Sequence, residues 1–163
     1  MTLTLESAGR IGVIADTHDD LVDWSELHDG VAAAFAAIDA IVHCGDLSTM
    51  AVLDQLDRIA PTRAVRSPGD PAADPPRLVD GPVVFQAGSW RLAAVFSLDD
   101  DSRAQVLTLR PDVVLFGGTH ASDSYQRDGI LFLNPGSPSL AETRSVAVLD
   151  LSGSRPAGQV IPL

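Results

Sequence analysis

The chain has 163 residues, 45% of them hydrophobic, enough to close a core in one domain; this excludes a disordered chain and one held together by staples. Its formal net charge is −11, from 22 acidic side chains against 11 basic ones, all arginine, which excludes broad electrostatic binding to DNA or RNA. The one cysteine, Cys44, makes no intramolecular disulfide and points to a reducing, cytoplasmic setting. No apolar run reaches the roughly 18 residues of a membrane span, and the start MTLTLESAGR lacks the basic and apolar segments of a signal peptide.

In chain order, RIGVIAD (10–16) reads as a buried strand ending at Asp16. GVAAAFAAIDA (30–40) reads as a helix, with Val31, Phe35 and Ile38 on one face. AIVHCGD (40–46) is a second strand, ending in Gly-Asp. Ser48 is placed to cap a helix whose apolar face is Val52, Leu56 and Ile59, and Pro61 stops it. TRAVRS (62–67) is a third strand. This strand–helix alternation predicts a parallel α/β layer. The stretch 67–82 holds five prolines and three aspartates and reads as a surface loop. VVFQAG and WRLAAVFSL form a hairpin turning at Gly88-Ser89. SRAQVLTLR is a short helix with capping-box spacing at Ser102 and Gln105, ended by Pro111. PDVVLFGG is a buried strand, SYQRDGILFLN a hairpin turning at Asp128-Gly129, and SVAVLDL and GQVIPL are closing strands. The pattern is one domain over 1–163, with two packed sheets and helices outside.

Polar residues gather just past the strand ends: Asp16-Thr17-His18, Gly45-Asp46, Gly69-Asp70 and Thr119-His120. In α/β sheets, ligands bind beyond the carboxyl ends of strands. Carboxylates and imidazoles together suit Mn, Fe, Zn or a similar ion. The simpler reading of each residue alone is a turn-capping polar group. His43 and Cys44 read as core or as support for the site, His28 as a surface residue, and Trp24 as packing over a helix. Asp19, Asp20 and Asp23 read as a solvated loop. Arg66 has an aspartate partner as an alternative to a phosphate, and Asn134 and Gly136 read as shaping a turn.

The blocks IADTHDDL, IVHCGDL, DVVLFGGTH and LNPGSPSL resemble the signature blocks of the calcineurin-like metallophosphoesterases, most closely their small bacterial and archaeal phosphodiesterase branch, to which the retromer scaffold subunit is related in fold. The resemblance covers residues 11–151. It implies a four-layer αββα sandwich of two mixed sheets, with a metal site between them. It also implies that Asp16, His18, Asp46 and His120 hold one divalent ion, through which they are the catalytic residues; no general acid is assigned.

The family's second ion takes an Asn, a His after a middle strand and the first His of the last block. The corresponding positions are Pro68, a position near Ser97, and Gly118, so only the bridging Asp46 is kept. Asp70 and Asp99–Asp101 are the carboxylates left to rebuild that position, and solvated loops are the simpler reading of them. The expected activity is hydrolysis of a phosphate ester, a small molecule or nucleotide, by a metal-activated water. The alternative is an inactive scaffold of the same fold with a protein partner. No membrane partner is expected.

Overall fold

The computed structural model describes residues 1–5, 8–24 and 28–163. Two six-stranded sheets form the body. The first has the order β12 (Ala157–Pro162), β11 (Ser145–Asp150), β2 (Arg10–Ile14), β3 (Ala40–His43), β4 (Thr62–Arg66), β5 (Leu78–Asp80). From β2 to β5 it is parallel, while β11 runs antiparallel to β2 and to β12. The second has the order β1 (Thr2–Thr4), β6 (Val83–Ala87), β7 (Trp90–Val95), β8 (Val113–Phe116), β10 (Ile130–Asn134), β9 (Asp123–Arg127).

The sheets pack face to face because alternate residues on their strands are apolar toward one shared core. Ile11, Val13, Ala15, Val42, Cys44 and Val65 on one sheet meet Phe85, Leu92, Ala94, Val113, Leu115 and Leu133 on the other. Intervening residues of the first sheet, Ile14, Ile41 and Ala64, pack outward with residues of α1 (Asp29–Ala34) and α2 (Ala51–Leu56), among them Val31, Val52, Leu53 and Leu56. On the other side, Ala93, Val95, Val114 and Phe132 pack with Val106 of α3 (Asp100–Thr108). The result is the expected αββα sandwich. Gly12 is bare for a packing reason: a Cβ there would stand 2.7 Å from Ile38 Cδ1 and 3.0 Å from the Phe35 ring.

The strands from Arg10 onward lie where the periodicity puts them, and Asp128 and Gly129 (φ 51° and 78°) make the two-residue hairpin turn. Four expectations are corrected. The helix expected over 30–40 ends at Ala34, with Phe35 as its C-cap, although Val31 and Phe35 are both buried as the spacing required. The stretch 67–82 is not wholly loop, since Leu78–Asp80 pairs parallel with β4 as an edge strand. Two buried residues, Leu78 and Val79, suffice for it, and proline flanks hide so short a strand. Ser48 does not cap α2, whose N-cap is Met50; its hydroxyl donates to Asp20 instead, at 2.5 Å. The cap of α3 is Asp99, which accepts from the Ser102 amide at 2.8 Å, so Ser102 lies inside the first turn. Strand β1 was not expected at all; it pairs with β6 at the edge of the second sheet.

Candidate metal centre

The carboxyl ends of β2, β3 and β8 face one another across the gap between the sheets. Asp16 and His18 follow β2, Asp46 follows β3 and His120 follows β8. One ligand atom from each of these four residues lies within 4.8 Å of the other three. His18 Nε2 is 3.3 Å from His120 Nε2 and 3.4 Å from Asp46 Oδ2, and His120 Nε2 is 3.9 Å from Asp16 Oδ1. Residues separated by a hundred positions thus converge on one point, with three ligands from one sheet and one from the other.

All four residues sit in the left-handed region, with φ of 54°, 46°, 58° and 61° for Asp16, His18, Asp46 and His120. A non-glycine residue there is uncommon, and such conformations cluster at functional sites, where the surroundings enforce them. The enforcing contacts are explicit. Asp16 accepts through Oδ2 from the Gly118 amide at 2.9 Å, and its carbonyl accepts from the buried Ser137 hydroxyl at 2.8 Å. The Asp16 amide donates to the Gly45 carbonyl, and the His18 amide to the Asp46 carbonyl, so the loops after β2 and β3 brace each other. Asp46 Oδ1 accepts from the Ser67 hydroxyl at 2.5 Å.

Asp70 closes this frame. Its Oδ2 accepts from the amides of Asp46 and Ser67 at 3.0 and 2.9 Å, and its Oδ1 from those of Leu47 and Ser48, both at 2.9 Å. Both oxygens are thereby committed to backbone, so Asp70 shapes the loop that presents Asp46 and has no lone pair aimed at an ion. Asp99 is likewise committed, as the cap of α3, while Asp100 and Asp101 lie in that helix's first turn. Among the described residues, neither group falls in a cluster of His, Cys, Asp or Glu side chains placed to hold an ion.

Burial makes the centre rich in acceptors. Asp16 is fully buried, and desolvation raises its carboxyl from 3.8 to about 6, although the Gly118 amide and the two histidines pull the other way. Facing imidazole nitrogens beside two carboxylates form a set of lone pairs that one cation satisfies at once, and oxygen and nitrogen donors in this mixture suit a first-row divalent ion. A cleft of about 230 Å³ opens beside His120, lined by Ala121, Ser122, Ala141, Glu142 and Thr143.

The supporting residues sort as follows. His43 is fully buried; its Nδ1 accepts from the Gly45 amide at 3.1 Å, which leaves Nε2–H to donate to Thr17 Oγ1 at 3.0 Å. Desolvation lowers its pKa to about 4, so it is a neutral strut behind the ligand loop. Cys44 is buried in the core between the sheets. Trp24 is buried and donates Nε1–H to the Thr17 carbonyl. His28 is half-buried rather than a free surface residue, with its ring 4.6 Å from that of Trp24. Asp20 and Asp19 tie the ligand loop to Ser48 and Thr49. Arg66 pairs with Asp80 at 2.7 Å. Asn134 shapes its turn by accepting from the Gly136 amide, and its Nδ2 reaches Thr119 Oγ1. Sequence reasoning missed Ser67, and it missed the reach of Ser137; a serine hydroxyl at a turn carries no signal of what it will touch.

A model of the calcineurin-like phosphoesterase superfamily domain matches residues 10–154. The chain is 31% identical over 162 residues to a probable metallophosphoesterase of Methanothermobacter thermautotrophicus, covering 93% of this chain and 91% of that protein. Among solved structures it is similar to vacuolar protein sorting 29 from Cryptosporidium parvum, at 19% identity and a TM-score of 0.73, over 96% of this chain and 98% of the other. An archaeal phosphodiesterase is similar to the same degree, at 18% identity and a TM-score of 0.73, over 93% and 99% of the two chains.

Proposed function

Because the chain belongs to the calcineurin-like phosphoesterase superfamily, we propose that it hydrolyses a phosphate ester, a phosphodiester or phosphomonoester, at a divalent ion held by Asp16, His18, Asp46 and His120. The observation that carries the reading is the convergence of those four ligand atoms within 4.8 Å. A divalent ion there would acidify a water and neutralise charge developing on a phosphoryl oxygen. The chain's part is to hold the donors in place before the substrate arrives. Asp70, Ser67 and Ser137 fix the loops, and His43 fixes Thr17 between the two ligands of the first block. The substrate would enter by the cleft beside His120. The protein would act as one domain, in the cytoplasm.

The test is hydrolysis of bis(p-nitrophenyl) phosphate and p-nitrophenyl phosphate with Mn²⁺, against the Asp46→Asn variant. The variant is expected to lose at least about 100-fold in kcat/KM, as when a group that positions the reacting centre is removed. Equal rates in both proteins reject catalysis. They would leave the second reading, an inactive scaffold with a protein partner, which is favoured by the loss of three of the second ion's ligands, at Pro68, at the end of β7 and at Gly118.

A further inference from the structure

Three of the positions at which a second ion would find ligands in this fold carry Pro68, a residue at the end of β7, and Gly118. The end of β7 is the informative one. Phe96, the residue before Ser97, packs its side chain against the core between the sheets. A Cβ on Gly45 would stand 2.7 Å from Phe96 Cδ2, and a Cβ on Gly118 would stand 3.4 Å from Phe96 Cζ. The ring therefore bridges from the residue just before Asp46 to the residue two before His120. It is held from behind, since the Phe96 carbonyl accepts from the Gly117 amide at 2.9 Å and the side chain packs on the core between the sheets.

The second observation is independent of the ring. Asp46 Oδ2 is 3.4 Å from His18 Nε2, and its other oxygen, Oδ1, accepts from the Ser67 hydroxyl at 2.5 Å. The nearest other carboxylates are engaged elsewhere: Asp70 is committed to four amides, and Asp20, 3.9 Å from His18 Nδ1 on the ring's far nitrogen, accepts from the Ser48 hydroxyl. Among the described residues, the quartet is the one group of three or more His, Cys, Asp or Glu side chains placed to hold an ion. Gly118 itself is at φ 85°, with Ser97 Cβ 3.3 Å from where its Cβ would be, so the position resists any donor-bearing side chain.

We infer that the Phe96 ring and the Ser67 hydroxyl fill the place of a second ion, and that this chain takes one ion per molecule. The inference rests on the proposed ion centre. It changes how the site handles its ester: the phosphoryl group meets a single cation on one side and an apolar ring on the other, in place of a two-ion clamp.

The experiment is metal loading of the full chain with Mn²⁺ or Zn²⁺ after chelation, read by elemental analysis and by electron paramagnetic resonance of the Mn²⁺ form. One equivalent, with the spectrum of an isolated Mn²⁺, is expected. Two equivalents, or an exchange-coupled pair, overturn the inference and leave the proposed centre standing. None at micromolar ion overturns the centre and the inference with it. A Phe96→His/Pro68→Asn variant, which exchanges the ring and the proline for donors, is expected to gain a second, weaker equivalent, with first-ion affinity kept within about threefold. A Phe96→Ala variant, which opens the space without adding donors, is expected to stay at one. A folded double variant that gains nothing, or a second equivalent in Phe96→Ala, overturns the assignment of that space to Phe96.

Discussion

Asp16 is a carboxylate buried where water does not reach, and its cost is legible in how it titrates. With its pKa raised from 3.8 to about 6, the folded metal-free chain holds a proton between those pH values that the unfolded chain has released. Stability therefore falls as the pH rises through that window, and the full penalty stands above it; at 1.36 kcal/mol per unit it is at most about 3 kcal/mol. Asp16→Asn is thus expected to stabilise the metal-free protein at pH 7.5, by up to about 3 kcal/mol in denaturant unfolding, while abolishing the ion's binding. The gain should vanish near pH 4, where the native carboxyl is already protonated. His43 works in the opposite sense, because its pKa is lowered to about 4, so stability is lost as the pH falls below 6.5. That loss is common to wild type and variant and cancels in the comparison. At this scale the sequence was informative about Asp16, His18, Asp46 and His120, whose ligand atoms the fold brings together. It was silent about their shared left-handed backbone, which only the packed loops impose.

The loops between elements decide where the helices begin. Ser48 has the composition of a cap, yet its amide is claimed by Asp70 and its hydroxyl by Asp20, so the helix begins later. Local propensity lost to a contact made 22 residues away. The same contact gives a prediction. Asp70→Asn replaces one acceptor oxygen with an NH₂ group facing backbone donors, leaving two amides unsatisfied; a loss of about 2–4 kcal/mol is expected. Equilibrium unfolding in urea should show a lower midpoint at unchanged slope. Calorimetric titration should show weaker binding of Mn²⁺, because the loop presenting Asp46 is no longer pinned. A variant with unchanged midpoint would mean that the four amide bonds contribute nothing net. Strand β5 was hidden for a different reason: three residues among prolines are too few to show a period, and its pairing with β4 is decided by tertiary packing.

For the molecule as a whole, the legible part was the continuous apolar run of each central strand, because burying both faces of each sheet demands it. The four-layer arrangement of two mixed sheets followed from the family resemblance, and the order of the strands within them from neither the resemblance nor the pattern. A cation seated in the quartet binds the folded chain alone, since an unfolded chain cannot gather residues 16 and 120. Mn²⁺ at about 100 times its Kd should therefore add about 2.7 kcal/mol to the unfolding free energy. For a chain of this size that corresponds to a rise of roughly 5–11 °C in Tm, which a chelator should reverse. A Tm indifferent to both additions would show that no such cation is held.

The candidate centre straddles a seam. Asp16, His18 and Asp46 ride on one sheet and His120 on the other, so the alignment of these groups is only as good as the fit between two slabs of Val, Ala and Leu. Interiors packed as tightly as organic crystals transmit a missing methyl group as a displacement, and small displacements matter greatly where reacting groups must be aligned. Trimming Leu115, on the strand that leads to His120, is therefore a change in chemistry as much as in cohesion: the seam is the gauge that sets the distance between the two halves of the centre.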